Sequence, residues 1–288
     1  MLDSISDPAN SRYSDSPCEL LISVRSLEEA KQVLQFDQQQ RLASRISVSV
    51  LDIKEPNNGS LGRPLLATIL EIARLLTTYP KADRPKLSVA LGELFEPLVS
   101  TESVEPEWHN WFQNPSKSEQ SFLEQVDYWK LGSAGAIETP DWKNRWRTAM
   151  QNLPEKKRVA VAYADDLECA APTIESIIEL AQDENCQIVL LDTFEKDLGN
   201  LFSFLDSRQL MQVACQIRER AMIFALAGSI SSSNLGQALD VRPNLIGVRS
   251  AVCNVSRRNG ISSQCLQEFT SEFERQHAVD HRADFFAN

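Results

Sequence analysis

Ile46-Ser-Val-Ser-Val-Leu-Asp-Ile-Lys-Glu-Pro-Asn-Asn-Gly-Ser-Leu-Gly62 is the stretch from which the rest of the chain can be read. Its first six residues, Ile46 to Leu51, are apolar and β-branched enough for a buried strand. The strand ends by presenting Asp52 and Lys54, two residues apart and therefore on one face. A Pro/Asn/Gly loop follows, and a helix is expected from about Arg63. A carboxylate and an amine at the open end of a buried strand can do carbonyl chemistry. A desolvated lysine with a lowered pKa is a nucleophile, and a neighbouring carboxylate can carry its protons. The same two residues can equally serve as a strand-end salt bridge before a turn.

Working outward, eight apolar strand-like runs occur: Glu19–Arg25, Ile46–Lys54, Lys86–Gly92, Val126–Gly132, Arg158–Asp165, Gln187–Thr193, Met222–Ser229 and Asn244–Val252. Helical patterns separate most of them: Leu27–Gln38, Pro64–Thr78, Asp141–Leu153, Thr173–Gln182, Asp206–Arg220 and Ser233–Leu239, with a last helix over Ser262–His277. Leu66, Ile69, Leu70, Ala73 and Leu76 make a core-facing stripe at helical spacing. Ser26 is placed to cap the first helix, with Glu28 and Glu29 in its first turn. Strands alternating with helices imply parallel βαβ units, and eight of them imply one closed (β/α)8 TIM barrel. An open doubly wound sheet is the alternative fold. No G-x-G-x-x-G or G-x-x-x-x-G-K-[ST] follows any strand, which weakens its nucleotide-binding form.

The barrel is expected over residues 18–277. A polar, acidic tail at 1–17 lacks the features of a signal peptide and reads as disordered, and a second tail covers 278–288. Residues 96–121 form an insertion after the third strand, carrying Trp108, His109 and Trp111. It reads as a lid, a subunit contact or a plain surface excursion. The net charge of −11 argues against nucleic-acid partners and anionic membranes. No apolar run reaches the roughly 18 residues of a membrane span. The six cysteines are scattered without a C-x-x-C pair, which suits free thiols in a reducing cytoplasm. His277 and His281 have helical metal-ligand spacing but no third ligand in sight, so no metal is expected.

Charged residues gather where the barrel strands end. Strand four ends with Lys130 and Gly132, strand five with Asp165, and strand six leads through Asp192 to Lys196. Lys130 and Asp192 interrupt apolar runs, where an unpaired charge is costly; each can also be half of a structural ion pair. Strands seven and eight end in small residues. Gly228, Ser229, Gly247 and Ser250 suit a backbone phosphate site, with Arg249 adding charge. Alternatively, Gly and Ser only turn the chain there and Arg249 pairs with a barrel carboxylate.

Six blocks occur in order: Asp-Ile-Lys-Glu-Pro-x-x-Gly-Ser-Leu-Gly (52–62), Asp-Tyr-x-Lys-x-Gly (127–132), Tyr-Ala-Asp (163–165), Leu-Leu-Asp-Thr-x-x-Lys-Asp (190–197), Leu-Ala-Gly-Ser-Ile (226–230) and Gly-Val-Arg-x-Ala-Val-Cys (247–253). Over Leu20 to Phe269 the chain resembles the (5-formylfuran-3-yl)methyl phosphate synthase family. Two stretches depart from it: Leu42-Ala-Ser-Arg45 stands where Gly-Gly-Ala-Asp is usual, and Gly132-Ser-Ala-Gly135 where Gly-Leu-Tyr-Gly is usual. The resemblance implies a phosphate-eliminating carbon–oxygen lyase that condenses two glyceraldehyde 3-phosphate molecules into a phosphorylated furan aldehyde. That product feeds a methanofuran-type one-carbon carrier. Asp52, Lys54, Lys130, Asp192 and Lys196 match the family's functional positions.

Lysine Schiff-base chemistry needs no metal or organic cofactor. Lys54 is expected as the Schiff-base lysine and Asp52 as its proton carrier. Lys196 with Asp192 is the next candidate pair. Lys130 either lowers the neighbouring amines' pKa or holds a phosphate; Asp165 is a further proton-transfer candidate. The expected partner is a small triose phosphate, with no nucleic acid and no membrane, and the expected form is a cytoplasmic homo-oligomer. Another Schiff-base aldolase acting on triose phosphates, or a catalytically silent phosphate-binding barrel, would share these features.

Overall fold

The computed structural model describes residues 17–41, 48–95 and 115–286. Its strands are β1 (Glu19–Val24), β2 (Val48–Ile53), β3 (Lys86–Glu93), β4 (Tyr128–Gly132), β5 (Arg158–Tyr163), β6 (Ile188–Asp192), β7 (Ile223–Leu226) and β8 (Leu245–Val248). All neighbours are parallel and in sequence order, and β8 pairs with β1 through Glu19–Leu245 to Ile22–Val248. The barrel is closed, so the open-sheet alternative falls. Closure also removes the two unpaired edges that an open sheet would carry.

Around it lie α1 (Leu27–Arg41), α2 (Leu66–Thr77), α3 (Lys117–Leu123), α4 (Trp142–Gln151), α5 (Ile174–Asp183), α6 (Leu201–Phe204), α7 (Ser207–Glu219), α8 (Leu235–Asp240) and α9 (Ser263–Phe286). Their starts follow local chemistry. The Ser26 hydroxyl accepts the Glu29 N–H at 3.3 Å. Ser116 with Glu119 and Asp206 with Gln209 form reciprocal caps for α3 and α7.

Several boundaries differ from the sequence reading. α2 starts at Leu66 rather than Arg63, after an extended Leu65. β4 starts at Tyr128, and the preceding Asp127 carboxylate accepts the Leu87 N–H at 2.8 Å, tying the loop before β4 to the start of β3. The four-residue α6 is too short to show a helical period in sequence. α9 continues through Phe286, past the boundary expected at His277. Of the 96–121 insertion, residues 96–114 lie outside the described residues, including Trp108, His109 and Trp111. Most of the 1–17 tail does as well.

Alternation along the strands sorts side chains into two cores. Leu21, Val50, Ala90, Val161, Leu190, Ala225 and Leu245 fill the barrel interior. Ile22, Leu51, Val89, Trp129, Leu191, Phe224 and Ile246 pack outward against the helices. In β2, Val48 belongs to the outer set and Val50 to the inner one, because the β1–β2 register slips there: Leu20 faces Val48 and Leu21 faces Val50. That bulge fixes which residues at the β2 tip point inward.

At the β8–β1 seam, Arg249 is 5% exposed and Glu29 6%. The guanidinium donates to both Glu29 carboxylate oxygens, at 2.9 and 3.2 Å, and to the Ser23 carbonyl at 2.9 Å. This fork ties the β8 tip to α1 and β1. Glu29→Gln removes its countercharge and is expected to cost about 3–5 kcal/mol. A thermal melt should show the midpoint falling on the order of 10 °C.

Candidate active site

All parallel strands point their C-terminal ends to one face, and inward-facing residues at those ends line a common cavity of about 560 Å³ including its open mouth. Asp52, Lys54, Lys130, Asp192 and Lys196 all line it. Gly228, Ser229, Gly247, Arg249 and Ser250 line the same space from β7 and β8. Residues far apart in the chain are thus brought to one barrel mouth.

Two buried ion pairs organise the floor. Lys130 Nζ lies 2.6 Å from Asp52 Oδ1, and Ser23 on β1 donates to Asp52 Oδ2 at 2.9 Å. Asp52 is fully buried; burial alone would raise its pKa, but the charges of Lys130 and Lys54 bring it below the usual range. Across the barrel, Lys196 Nζ lies 2.6 Å from Asp192 Oδ1 and also donates to the Thr193 carbonyl and hydroxyl. Burial opposes ionisation of Asp192 too, and Lys196 and Lys54 overcome it, so its pKa is lowered. Burial pushes the Lys196 pKa down, with Asp192 opposing.

Lys54 sits among these pairs without joining either. Among the described residues none forms a hydrogen bond or ion pair with its amine. Its partner in a strand-end salt bridge is absent, since Asp52 pairs with Lys130. Lys54 is 8% exposed, and burial together with the charge of Lys130 brings its pKa down to about 7, against the pull of Asp192 and Asp52. Near neutrality, therefore, much of this lysine is the free amine. Neutral amine on a carboxylate-flanked cavity floor is equipped to attack a carbonyl carbon.

Two other residues take roles unlike those expected. Arg249 lines the cavity, but its fork is engaged by Glu29 and backbone carbonyls, which is the pairing left open as the alternative in sequence. Asp165 is fully buried, and its carboxylate accepts the Phe194 N–H at 2.8 Å and the Glu195 N–H at 2.7 Å. It shapes the loop after β6 and does not line the cavity.

Sequence reasoning missed several supports. Ser60 donates to the Thr193 carbonyl at 2.9 Å and lies 3.4 Å from Asp192 Oδ2, stitching the loop after β2 to the loop after β6. The Tyr163 hydroxyl donates to Glu93 Oε1 at 2.5 Å, and the Ala134 N–H donates to Glu93 Oε2 at 3.1 Å. A Cβ at Gly132 would lie 1.9 Å from the Glu93 carboxylate, so a side chain there would displace Glu93 from these partners. Ser23 could have been found from the parity of β1, since it alternates with the inward Leu21. Arg257, also on the cavity wall, lies in a loop with no periodic signal. His277 Nε2 accepts the Cys18 N–H at 3.0 Å and its ring stacks on Phe273. Among the described residues, no group of three or more His, Cys, Asp or Glu is arranged to hold a metal. None of their helices is long and apolar enough to cross a membrane. All six cysteines are free thiols.

A closed (β/α)8 barrel with two buried lysines, a part-buried third and two buried carboxylates at its C-terminal mouth defines a lysine-centred barrel enzyme. The sequence model of the 4-HFC-P synthase family matches residues 20–270, and the chain belongs to that family. Among its relatives, the (5-formylfuran-3-yl)methyl phosphate synthase of Methanococcus aeolicus is 27% identical over 246 residues, covering 83% of this chain and 92% of that one. The Methanosarcina acetivorans protein of the same name is 24% identical over 238 residues, covering 80% and 93%. Phosphoribosyl anthranilate isomerase from Thermotoga maritima superposes with a TM-score of 0.53 at 15% identity, over 88% of this chain and 98% of that one. For 3-hexulose-6-phosphate synthase from Salmonella typhimurium the TM-score is 0.51 at 15% identity, over 87% and 99%. At such identities these two structures speak for the fold alone.

The electrostatics of Lys54 can be read directly. Acetylation of Lys54 followed by mass spectrometry against pH should give a midpoint near 7. Asp192→Asn removes a charge that favours the ammonium and should move the midpoint lower. Lys130→Met removes a repelling charge and should move it higher.

Proposed function

We propose that the protein condenses two molecules of glyceraldehyde 3-phosphate into (5-formylfuran-3-yl)methyl phosphate, releasing one phosphate and two waters, as a step towards a methanofuran-type carrier. Membership of the 4-HFC-P synthase family and the names of its relatives support the product. The observation that carries the chemistry is the unpaired, desolvated amine of Lys54 between two ion pairs.

In this reading the neutral Lys54 amine attacks the aldehyde of one triose phosphate and loses water to give a Schiff base. The iminium is an electron sink, so a proton leaves the adjacent carbon and an enamine forms. That carbon attacks the aldehyde of the second molecule. A hydroxyl then closes the ring, and elimination of one phosphate and two waters makes it aromatic, which drives the sequence forward. Hydrolysis of the carbon–nitrogen bond takes back the water lost in Schiff-base formation, releases the product and returns Lys54 as the amine. Asp52 carries protons to and from the Lys54 nitrogen, held in place by Lys130 and Ser23. The Asp192–Lys196 pair faces the same space and serves proton transfer at the second aldehyde. Backbone N–H groups at Gly228 and Ser229 receive a phosphate.

Incubation with glyceraldehyde 3-phosphate should give a product absorbing as a furan aldehyde. Borohydride added during turnover should leave a reduced adduct whose peptide maps to Lys54. Lys54→Met should lose that adduct and lower kcat on the order of 10³-fold or more. An adduct on Lys196 would reassign the covalent lysine, and turnover to a non-furan product would make the protein a different aldolase.

A further inference from the structure

The side-chain charge on the β7–β8 side of the cavity comes from a residue outside the strand tips. Arg249 is committed: its guanidinium is held by Glu29 and the Ser23 carbonyl, and its Nε donates to the Arg257 carbonyl at 2.7 Å. Arg257, by contrast, lines the cavity, is part-buried, and has no carboxylate within ion-pair distance among the described residues. One of its donors reaches the Gly59 carbonyl at 2.7 Å, across the mouth on the loop that follows Lys54. A guanidinium has five N–H donors, so most remain for the space it lines.

Facing the same cavity are Gly228 and Ser229, consecutive residues with φ of +100° and +57°. The N–H groups of Gly228, Ser229 and Ile230 donate to no acceptor among the described residues. Successive backbone N–H groups in such a turn form a concavity that receives an anion oxygen. An alanine-like side chain at Gly228 would already press on Leu201 at 3.1 Å, so this backbone has little room to relax.

We propose that Arg257 is the phosphate-binding side chain of this site, completing an anion pocket with the Gly228–Ser229 backbone, and that Arg249 is a positioning residue that holds the Arg257 backbone. The pocket takes a phosphate monoester. This deepens the function proposed above and rests on it for the identity of the ester, whereas anion binding itself does not. Because Arg257 also bridges to Gly59, a bound phosphate links the loops after β8 and β2 and brings the anchored substrate beside Lys54.

The test uses inorganic phosphate and the full chain, independent of turnover. Calorimetric titration should show binding to the wild type, at least tenfold weaker binding to Arg257→Ala, and partial recovery in Arg257→Lys, which keeps charge but loses the fork. In parallel, borohydride trapping with unphosphorylated glyceraldehyde should label Lys54 in Arg257→Ala as fast as in the wild type. Phosphate affinity unchanged in Arg257→Ala, or no phosphate binding by the wild type, overturns the proposal. Equal loss of trapping with unphosphorylated glyceraldehyde also overturns it, since Arg257 would then only shape the loop. If phosphate binds as expected but no furan forms, the pocket stands and the reaction assigned to it falls.

Discussion

Lys130 and Asp52, 2.6 Å apart on inward positions of β4 and β2, put a positive charge beside Lys54 on the buried floor of the cavity. Without its carboxylate, Lys130 would be an uncompensated buried charge of a kind proteins rarely tolerate. Held by that carboxylate, Lys130 adds to the burial that lowers the pKa of the neighbouring amine. Asp52 is thereby denied to Lys54 as a partner. The lowered pKa of Lys54 thus reflects its burial first and, beside it, the place where another lysine finds its counter-ion. Asp192 and Lys196 repeat the arrangement on the opposite wall, and both carboxylates, Asp192 the more strongly, pull against the burial of Lys54.

The barrel supplies what this electrostatic arrangement needs. Its walls are rigid because every strand is paired on both sides, and the parity of each strand decides which residues face the cavity. The shift of register in β2 is part of the site as much as of the fold, since it sets the inward row that runs from Val50 to Asp52. Loops and strand tips then lock to each other: Ser60 to Thr193 and Asp165 to Phe194 and Glu195 between loops, and Glu93 to Tyr163 between the ends of β3 and β5. These contacts hold charged groups in place without using up the amine at the centre.

Much of this could be seen in the chain before any coordinates. All eight strands were legible because buried parallel strands read as short apolar runs, and their tips were marked by charges that interrupt those runs. The five lysines and carboxylates of the floor were legible for the same reason. Pairing was not. Nothing in sequence tells that Asp52 turns to Lys130 instead of Lys54, because the partners are separated by two intervening units. Arg249 was ambiguous since a buried arginine at a strand tip serves an anion or a carboxylate equally well, and the carboxylate, Glu29, sits in the first turn of a helix. Arg257 gave no sign, lying in an irregular loop where neither period nor burial can be inferred. Asp165 was misleading because a carboxylate that receives backbone N–H groups looks, in one dimension, like one that moves protons.

The hydrogen bond from Cys18 N–H to His277 fastens the start of the first strand to the final helix, on the side of the barrel from which all strands set out. The first strand and the last helix therefore meet at the closed base. Attachment to a solid support through a linker at this base would leave the opening turned towards the solution.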